Sequence, residues 1–143
     1  MQVKDIMSTD VATVEATETI EQAAKLMETH NVGSIPVTDH DRVIGIITDR
    51  DIALRSVAHG QSGRSQRVGD IMSANPVVGT PDMDVHDAAG LMSQRKIRRL
   101  PIVQNNALVG IVALGDISVE PTLQDNAEEA LKNISQPDGG QMT

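Results

Sequence analysis

The chain of 143 residues contains no cysteine. Disulfides, thiolate-bound metals and cysteine nucleophiles are therefore excluded. Phenylalanine, tyrosine and tryptophan are absent as well. A heterocyclic ligand must then be held between aliphatic side chains and by backbone hydrogen bonds, and the aromatic platforms that usually hold single-stranded nucleic acid are missing. Positive charge is scarce: 12 Lys and Arg stand against 20 Asp and Glu, a net charge of -8. That balance disfavours a polyanion, so a general nucleic-acid binder is not expected. No apolar run approaches membrane length, and Met1-Gln2-Val3-Lys4-Asp5 has no apolar leader. A soluble, cytoplasmic protein without a membrane partner is expected. His30, His40, His59 and His86 show no metal-ligand spacing, so no metal site is expected. No Ser/His/Asp order or pair of carboxylates suggests catalysis, and no enzyme is expected.

What the chain does have is internal repetition. Val3-Lys4-Asp5-Ile6-Met7-Ser8 returns as Val68-Gly69-Asp70-Ile71-Met72-Ser73, an offset of 65 (68 − 3). The same offset, without a gap, carries Ala23-Ala24 onto Ala88-Ala89, Leu26-Met27 onto Leu91-Met92, Pro36 onto Pro101, Gly45-Ile46 onto Gly110-Ile111 and Asp51-Ile52 onto Asp116-Ile117. Chance does not keep one register over so many positions. The chain is a tandem duplication, with copies over about 3–60 and 68–120.

Each copy predicts the same elements. In the first, an amphipathic turn (Val3, Ile6, Met7) leads to a small strand at Val11 to Val14. Thr19 then caps a helix, with Gln22 completing a capping box, and Ile20, Ala23, Ala24 and Met27 form one apolar face. The helix stops near Asn31 and Gly33. Strands follow at Ser34 to Thr38 and Val43 to Ile47 around the turn Asp39-His40-Asp41. A second helix over about Asp49 to Ala58 ends at Gly60. Ser62 to Gln66 is a polar linker. In the second copy, Asp84 and Asp87 open the helix, whose face is Val85, Ala88, Ala89 and Met92. Its strands are Leu100 to Val103 and Leu108 to Val112 around Gln104-Asn105-Asn106, and Pro121 stops a short last helix. A C-terminal helix is expected over 121–135, with Leu123, Ala127, Ala130, Leu131 and Ile134 on one face. The tail 136–143 is polar and Gly-rich and expected to be disordered. Met7, Met27, Met72 and Met92 recur at matching places and read as core or interface filler. One copy is too small to bury its own sheet well. Two copies packed sheet to sheet about a pseudo-two-fold axis solve this, and they imply two related clefts at the seam.

The most informative stretch is Gly45-Ile46-Ile47-Thr48-Asp49-Arg50-Asp51, an apolar strand running directly into a helix. Thr48 stands at the N-cap and Asp51 follows three residues later. This spacing reads two ways: as a capping box, or as a phosphate site at a helix start with Asp51 accepting two vicinal ribose hydroxyls. One hydroxyl can serve both.

Together these segments resemble the CBS-domain pair, or Bateman module, named after cystathionine β-synthase. The likeness rests on Asp5-Ile6-Met7, Ala23-Ala24-x-Leu26-Met27, Gly33-Ser34-Ile35-Pro36-Val37 and Gly45-x-x-Thr48-x-x-Asp51. In the second copy it rests on Asp70-Ile71-Met72, Arg98-Arg99-Leu100-Pro101-Ile102 and Gly110-x-x-Ala113-x-x-Asp116. The resemblance implies an α+β fold of two β-α-β-β-α motifs. It also implies a regulatory sensor that binds an adenosine-containing ligand, such as AMP, ADP, ATP, NAD or S-adenosylmethionine, between the repeats and signals through an interface change. No covalent cofactor is implied. A homodimer and an unidentified protein target are. By resemblance Thr48 touches phosphate, with Arg50 beside it, and Asp51 takes the ribose hydroxyls. Thr13-Val14 and Ile35-Pro36 hold adenine by backbone groups and aliphatic packing. The matching second-copy positions are Val78, Leu100, Pro101 and Asp116. That copy departs from the pattern: Ala113 replaces the hydroxyl, Leu114-Gly115 replace Asp49-Arg50, and Lys96, Arg98 and Arg99 form a basic cluster. The cluster reads either as a solvated patch or, for Arg98 and Arg99, as phosphate contacts. The alternative to a sensor is a ligand-independent interaction scaffold with vestigial clefts, for which Ala113 is the main argument.

Overall fold

A computed structural model of the chain describes residues 1–118 and, beyond them, Leu131 and Ile134. These last two are helical; the rest of the expected C-terminal helix over 121–135, and the tail 136–143, lie outside the described residues. The fold is α+β and contains two compact units. One comprises residues 11–76 with 106–108; the other comprises residues 1–10 and 77–105 and continues from 109.

In the unit built on residues 11–76, β1 (Val14–Glu15) runs parallel to β2 (Ser34–Asp39), with Val14 opposite Val37. β1 is shorter and later than the strand expected at Val11 to Val14. Between them lies α1 (Ile20–His30), started by the expected box: Thr19 N–H donates to Gln22 Oε1 at 2.8 Å, and Gln22 N–H donates to Thr19 Oγ1 at 3.2 Å. Asn31, with φ of 52°, closes it in the left-handed region that Asn tolerates better than most residues. Ile20, Ala23 and Met27 are buried as the periodicity requires, whereas Ala24 is exposed. β3 (Arg42–Thr48) is antiparallel to β2, from Ser34 opposite Thr48 to Asp39 opposite Arg42. The turn between them places His40 at φ 56°.

The helix expected from Asp49 changes form along its length. α2 (Asp49–Asp51) passes into a π-helical turn at Ile52–Ser56 and a 3-10 turn at Val57–His59, closed by Gly60 at φ 71°. The linker has a structural task. Gln66 and Gly63 carbonyls accept from the Ile20 and Glu21 amides at 3.0 and 2.9 Å, satisfying the open start of α1. Beyond it come α3 (Val68–Ile71) and β4 (Ser73–Ala74), an unanticipated strand that pairs Ala74 with Gly45 on β3.

The other unit contains α4 (Val85–Arg95), β5 (Arg99–Gln104), the part of β6 (Ala107–Ala113) from residue 109 on, and α5 (Leu114–Ser118). Asp84 caps α4 by accepting from the His86 amide at 2.8 Å. Asn105 and Asn106 both have positive φ, 54° and 67°, as a two-residue hairpin turn demands.

The segment that opens each sequence repeat lies in the compact unit of the other repeat. Val68 and Ile71 belong to the core of Val14, Ile20, Ala23, Met27, Ile35, Val37 and Ile47. Val3 belongs to the core of Val85, Ala88, Ala89, Met92, Leu100, Ile102, Val112 and Ile117. The anchoring bonds repeat: Val68 N–H to Glu18 O and Gly69 N–H to Ala16 O, against Val3 N–H to Met83 O and Lys4 N–H to Pro81 O, all 2.8 to 2.9 Å. Each segment also lays a methionine over a strand glycine. A Cβ on Gly45 would stand 2.6 Å from Met72 Sδ, and one on Gly110 would stand 2.6 Å from Met7 Sδ. The two glycines are required by this close approach and not by their φ.

Candidate ligand site

At the first strand–helix junction the sequence places Thr48 as the last residue of β3. Extended backbone there, with φ of −118°, turns directly into α2. Asp51 N–H donates to Thr48 Oγ1 and Thr48 N–H donates to Asp51 Oδ2, each at 3.0 Å. The capping box is therefore formed, and it leaves Asp51 9% exposed. Only Oδ2 is committed by this bond. Oδ1 faces the Arg55 guanidinium, whose Nε is 3.7 Å away, outside hydrogen-bond range. The junction is tied to the start of β2, because Asp49 N–H donates to Gly33 O at 2.9 Å. Ser34 lies opposite Thr48 and Ile35 opposite Ile47 in the ladder. Gly33 to Pro36, Thr48 and Asp51 thus share one corner of the unit.

The other expected residues of this site are distributed less evenly. Val14 and Ile35 are core side chains, 1% and 0% exposed, so only their backbone groups could face a ligand. Pro36 is buried, while Thr13 and Arg50 are exposed. Among the described residues, the Arg50 guanidinium has no ion-pair partner, and its amide donates to Asp49 Oδ1 at 2.8 Å. Sequence reasoning missed Arg55. The signal was available: an acid followed by a base at i+4 is the favourable helical orientation for such a pair.

The second junction preserves half of this arrangement. Ala113 N–H donates to Asp116 Oδ2 at 2.9 Å, although no hydroxyl is present to return the bond. Leu114 N–H donates to Arg98 O at 3.0 Å, matching the Asp49–Gly33 tether. This brings Arg98, Arg99, Ala113 and Asp116 to one corner. Arg98 is exposed and Arg99 half-buried, and Arg99 Nε is buried without a hydrogen-bond partner among the described residues. Val78 is half-buried next to Gly79, which bonds to β5 in parallel: Gly79 N–H donates to Pro101 O and Val103 N–H to Gly79 O, both at 2.9 Å. The Leu100 side chain is wholly core, and Pro101 is buried. No group of His, Asp or Glu among the described residues could hold a metal ion, and no helix among them is long and apolar enough to cross a membrane.

Two strand–helix junctions of one design, each with a carboxylate that accepts from the amide three residues before it and each tied to the preceding strand, define a duplicated α+β module. The CBS-domain family model matches residues 3–57 and 68–120, and the chain belongs to that family as a tandem pair of CBS domains. It is 53% identical over 133 residues to CBS domain-containing protein YhcV of Bacillus subtilis, covering 93% of this chain and 94% of that protein. Its fold is similar to the CBS-domain pair of protein MJ0100, solved in complex with methylthioadenosine and S-adenosylmethionine (TM-score 0.73, 34% identity, 83% of this chain and 94% of that one). It is also similar to a hexameric CBS-CP12 protein of bloom-forming cyanobacteria (TM-score 0.73, 31% identity, 87% and 74%).

Proposed function

We propose that this chain senses an adenosine-containing ligand, of the class of AMP, ADP, ATP, NAD or S-adenosylmethionine, and does no catalysis of its own. The observation that carries the reading is the Asp51 carboxylate. It is nearly buried, and one of its oxygens is held by Thr48 while the other accepts no hydrogen bond from any of the described residues. A carboxylate oxygen accepts more than one donor, so a ribose diol can bind to Asp51 without dismantling the capping box. The adenosine compounds bound by the related MJ0100 pair support the ligand class. Adenine is held by the backbone at Thr13-Val14 and Ile35-Pro36, phosphate by Thr48 and Arg50. In the second site Asp116 takes ribose, and Arg98 and Arg99 take phosphate, beside Val78, Leu100 and Pro101. Ligand then changes an interface that a protein target reads.

A thermal-shift panel of the five compounds tests this. A ligand at about 100 times its Kd adds ~2.7 kcal/mol of stability. A flat response to all five leaves the second reading, a ligand-independent scaffold, which the missing hydroxyl at Ala113 favours. We further propose a homodimer. The Ala and Met helix faces are largely consumed by the cores, but Leu54 and Val57 on the turns after α2 remain 46% and 67% exposed. Light scattering at tens of micromolar, with and without nucleotide, decides between this and a monomer or a larger ring.

A further inference from the structure

Arg55 stands between two features that the sequence keeps apart. Its Nε lies 3.7 Å from Asp51 Oδ1, and its Nη1 donates to the carbonyl of Ile71 at 3.2 Å. Ile71 is the last residue of α3, where carbonyls run out of helical partners and a cation is favoured. The guanidinium is a rigid planar fork. A movement that brings Nε into bonding distance of Oδ1 must therefore also move Nη1 relative to the Ile71 carbonyl. The π-helical turn at Ile52–Ser56 sets where Arg55 emerges, and Ser56 behind it is 1% exposed, its Oγ without a partner among the described residues, so the turn is not a relaxed α-helix. The second repeat carries Glu120 at the position matching Arg55, a reversal of charge.

We infer that Arg55 is a positioning residue that couples the Asp51 carboxylate to the anchoring of α3, the segment leading into the second repeat. The functional consequence rests on the adenosine reading: hydroxyls donating to Oδ1 share the charge that attracts Arg55, and the change is passed to the Ile71 carbonyl. The coupling itself is a property of the ligand-free chain. Lysine at position 55 keeps a cation near Asp51 but cannot fork to both acceptors.

Amide hydrogen exchange on the full chain tests the coupling without ligand. R55M is expected to speed exchange of the Ile71 and Met72 amides severalfold. D51N is expected to speed it less in the parent chain and not at all in the R55M background. R55K is expected to resemble R55M at α3. Effects of R55M and D51N that simply multiply would overturn the inference, as would unchanged α3 exchange in R55M. With AMP as the probe, α3 exchange is expected to respond in the parent and not in R55M, while R55M still binds. A persisting α3 response in R55M also overturns the coupling. Failure of the parent to bind AMP or any other adenosine compound defeats the ligand reading, and the ligand-free cycle still judges Arg55.

Discussion

Replacing Asp51 separates its two roles. In Asp51→Ala the Thr48 amide loses its acceptor at 3.0 Å and the capping box loses its returning half. Losing this one part of the cap costs about 1 kcal/mol of stability. Asp51→Asn keeps a carbonyl oxygen for that amide and puts an uncharged NH2 donor where Oδ1 stood, so the capping box survives and its melting temperature stays near the parent's. Ligand binding follows another order. Hydrogen bonds from ribose to a charged acceptor are worth roughly 1.5–3 kcal/mol, so Ala in place of Asp51 weakens adenosine binding by about ten- to a hundredfold. Asn retains neutral hydrogen bonds and falls between. Calorimetric titration with adenosine and AMP, run beside thermal melts of the same samples, reads both roles. The predicted signature is a crossing: Asn melts like the parent but binds worse, and Ala does worse in both. Parental affinity for adenosine in a folded D51N chain would refute the reasoning and leave Asp51 as a cap only.

The hydroxyl difference between the junctions predicts unequal sites. Ala113→Thr completes the half-formed box at Asp116, adding about 1 kcal/mol of stability and narrowing the affinity gap, and Thr48→Ala narrows it from the other side. Calorimetry that finds equal sites in the parent, or no response to either change, speaks against this. Gly45→Ala sets a Cβ 2.6 Å from Met72 Sδ and 2.8 Å from the Ser73 carbonyl. The sulfur can turn away but the backbone cannot, so a loss of about 1–3 kcal/mol is expected in a denaturant melt; a neutral result means that β4 is not held as described. Val3→Ala empties a fully buried site and is expected to destabilise by about 1–3 kcal/mol despite lying two residues from the first Met. A negligible change in the melt shows that the opening segment is not part of that core. Lys25, and then Arg64, hold the Glu21 carboxyl below its usual range. With the folded pKa the lower one, this contribution is full above the unfolded pKa and is lost as pH falls through the folded value. The stability difference between the parent and Glu21→Gln is therefore expected to shrink on acidification, and a difference independent of pH contradicts the pairing.

The duplication, the α+β character, the Thr19 and Thr48 capping boxes and the corner holding Thr48 and Asp51 were all legible in the residues, because each depends on spacings of three or four positions or on a register kept along the chain. Local periodicity also located α1, α4 and the four strands β2, β3, β5 and β6 to within a residue or two. It could not say which copy's core receives Val3 or Val68, since the two copies carry the same pattern and either assignment satisfies it; only tertiary packing chose the exchange. The same choice explains Gly45 and Gly110, whose partners are methionines from the segment opening the other repeat. The change from α to π geometry after Asp51 was hidden as well. An apolar, helix-favouring run such as Ile52-Ala53-Leu54 fits either winding, and only the packed turn placed Arg55 between Asp51 and Ile71.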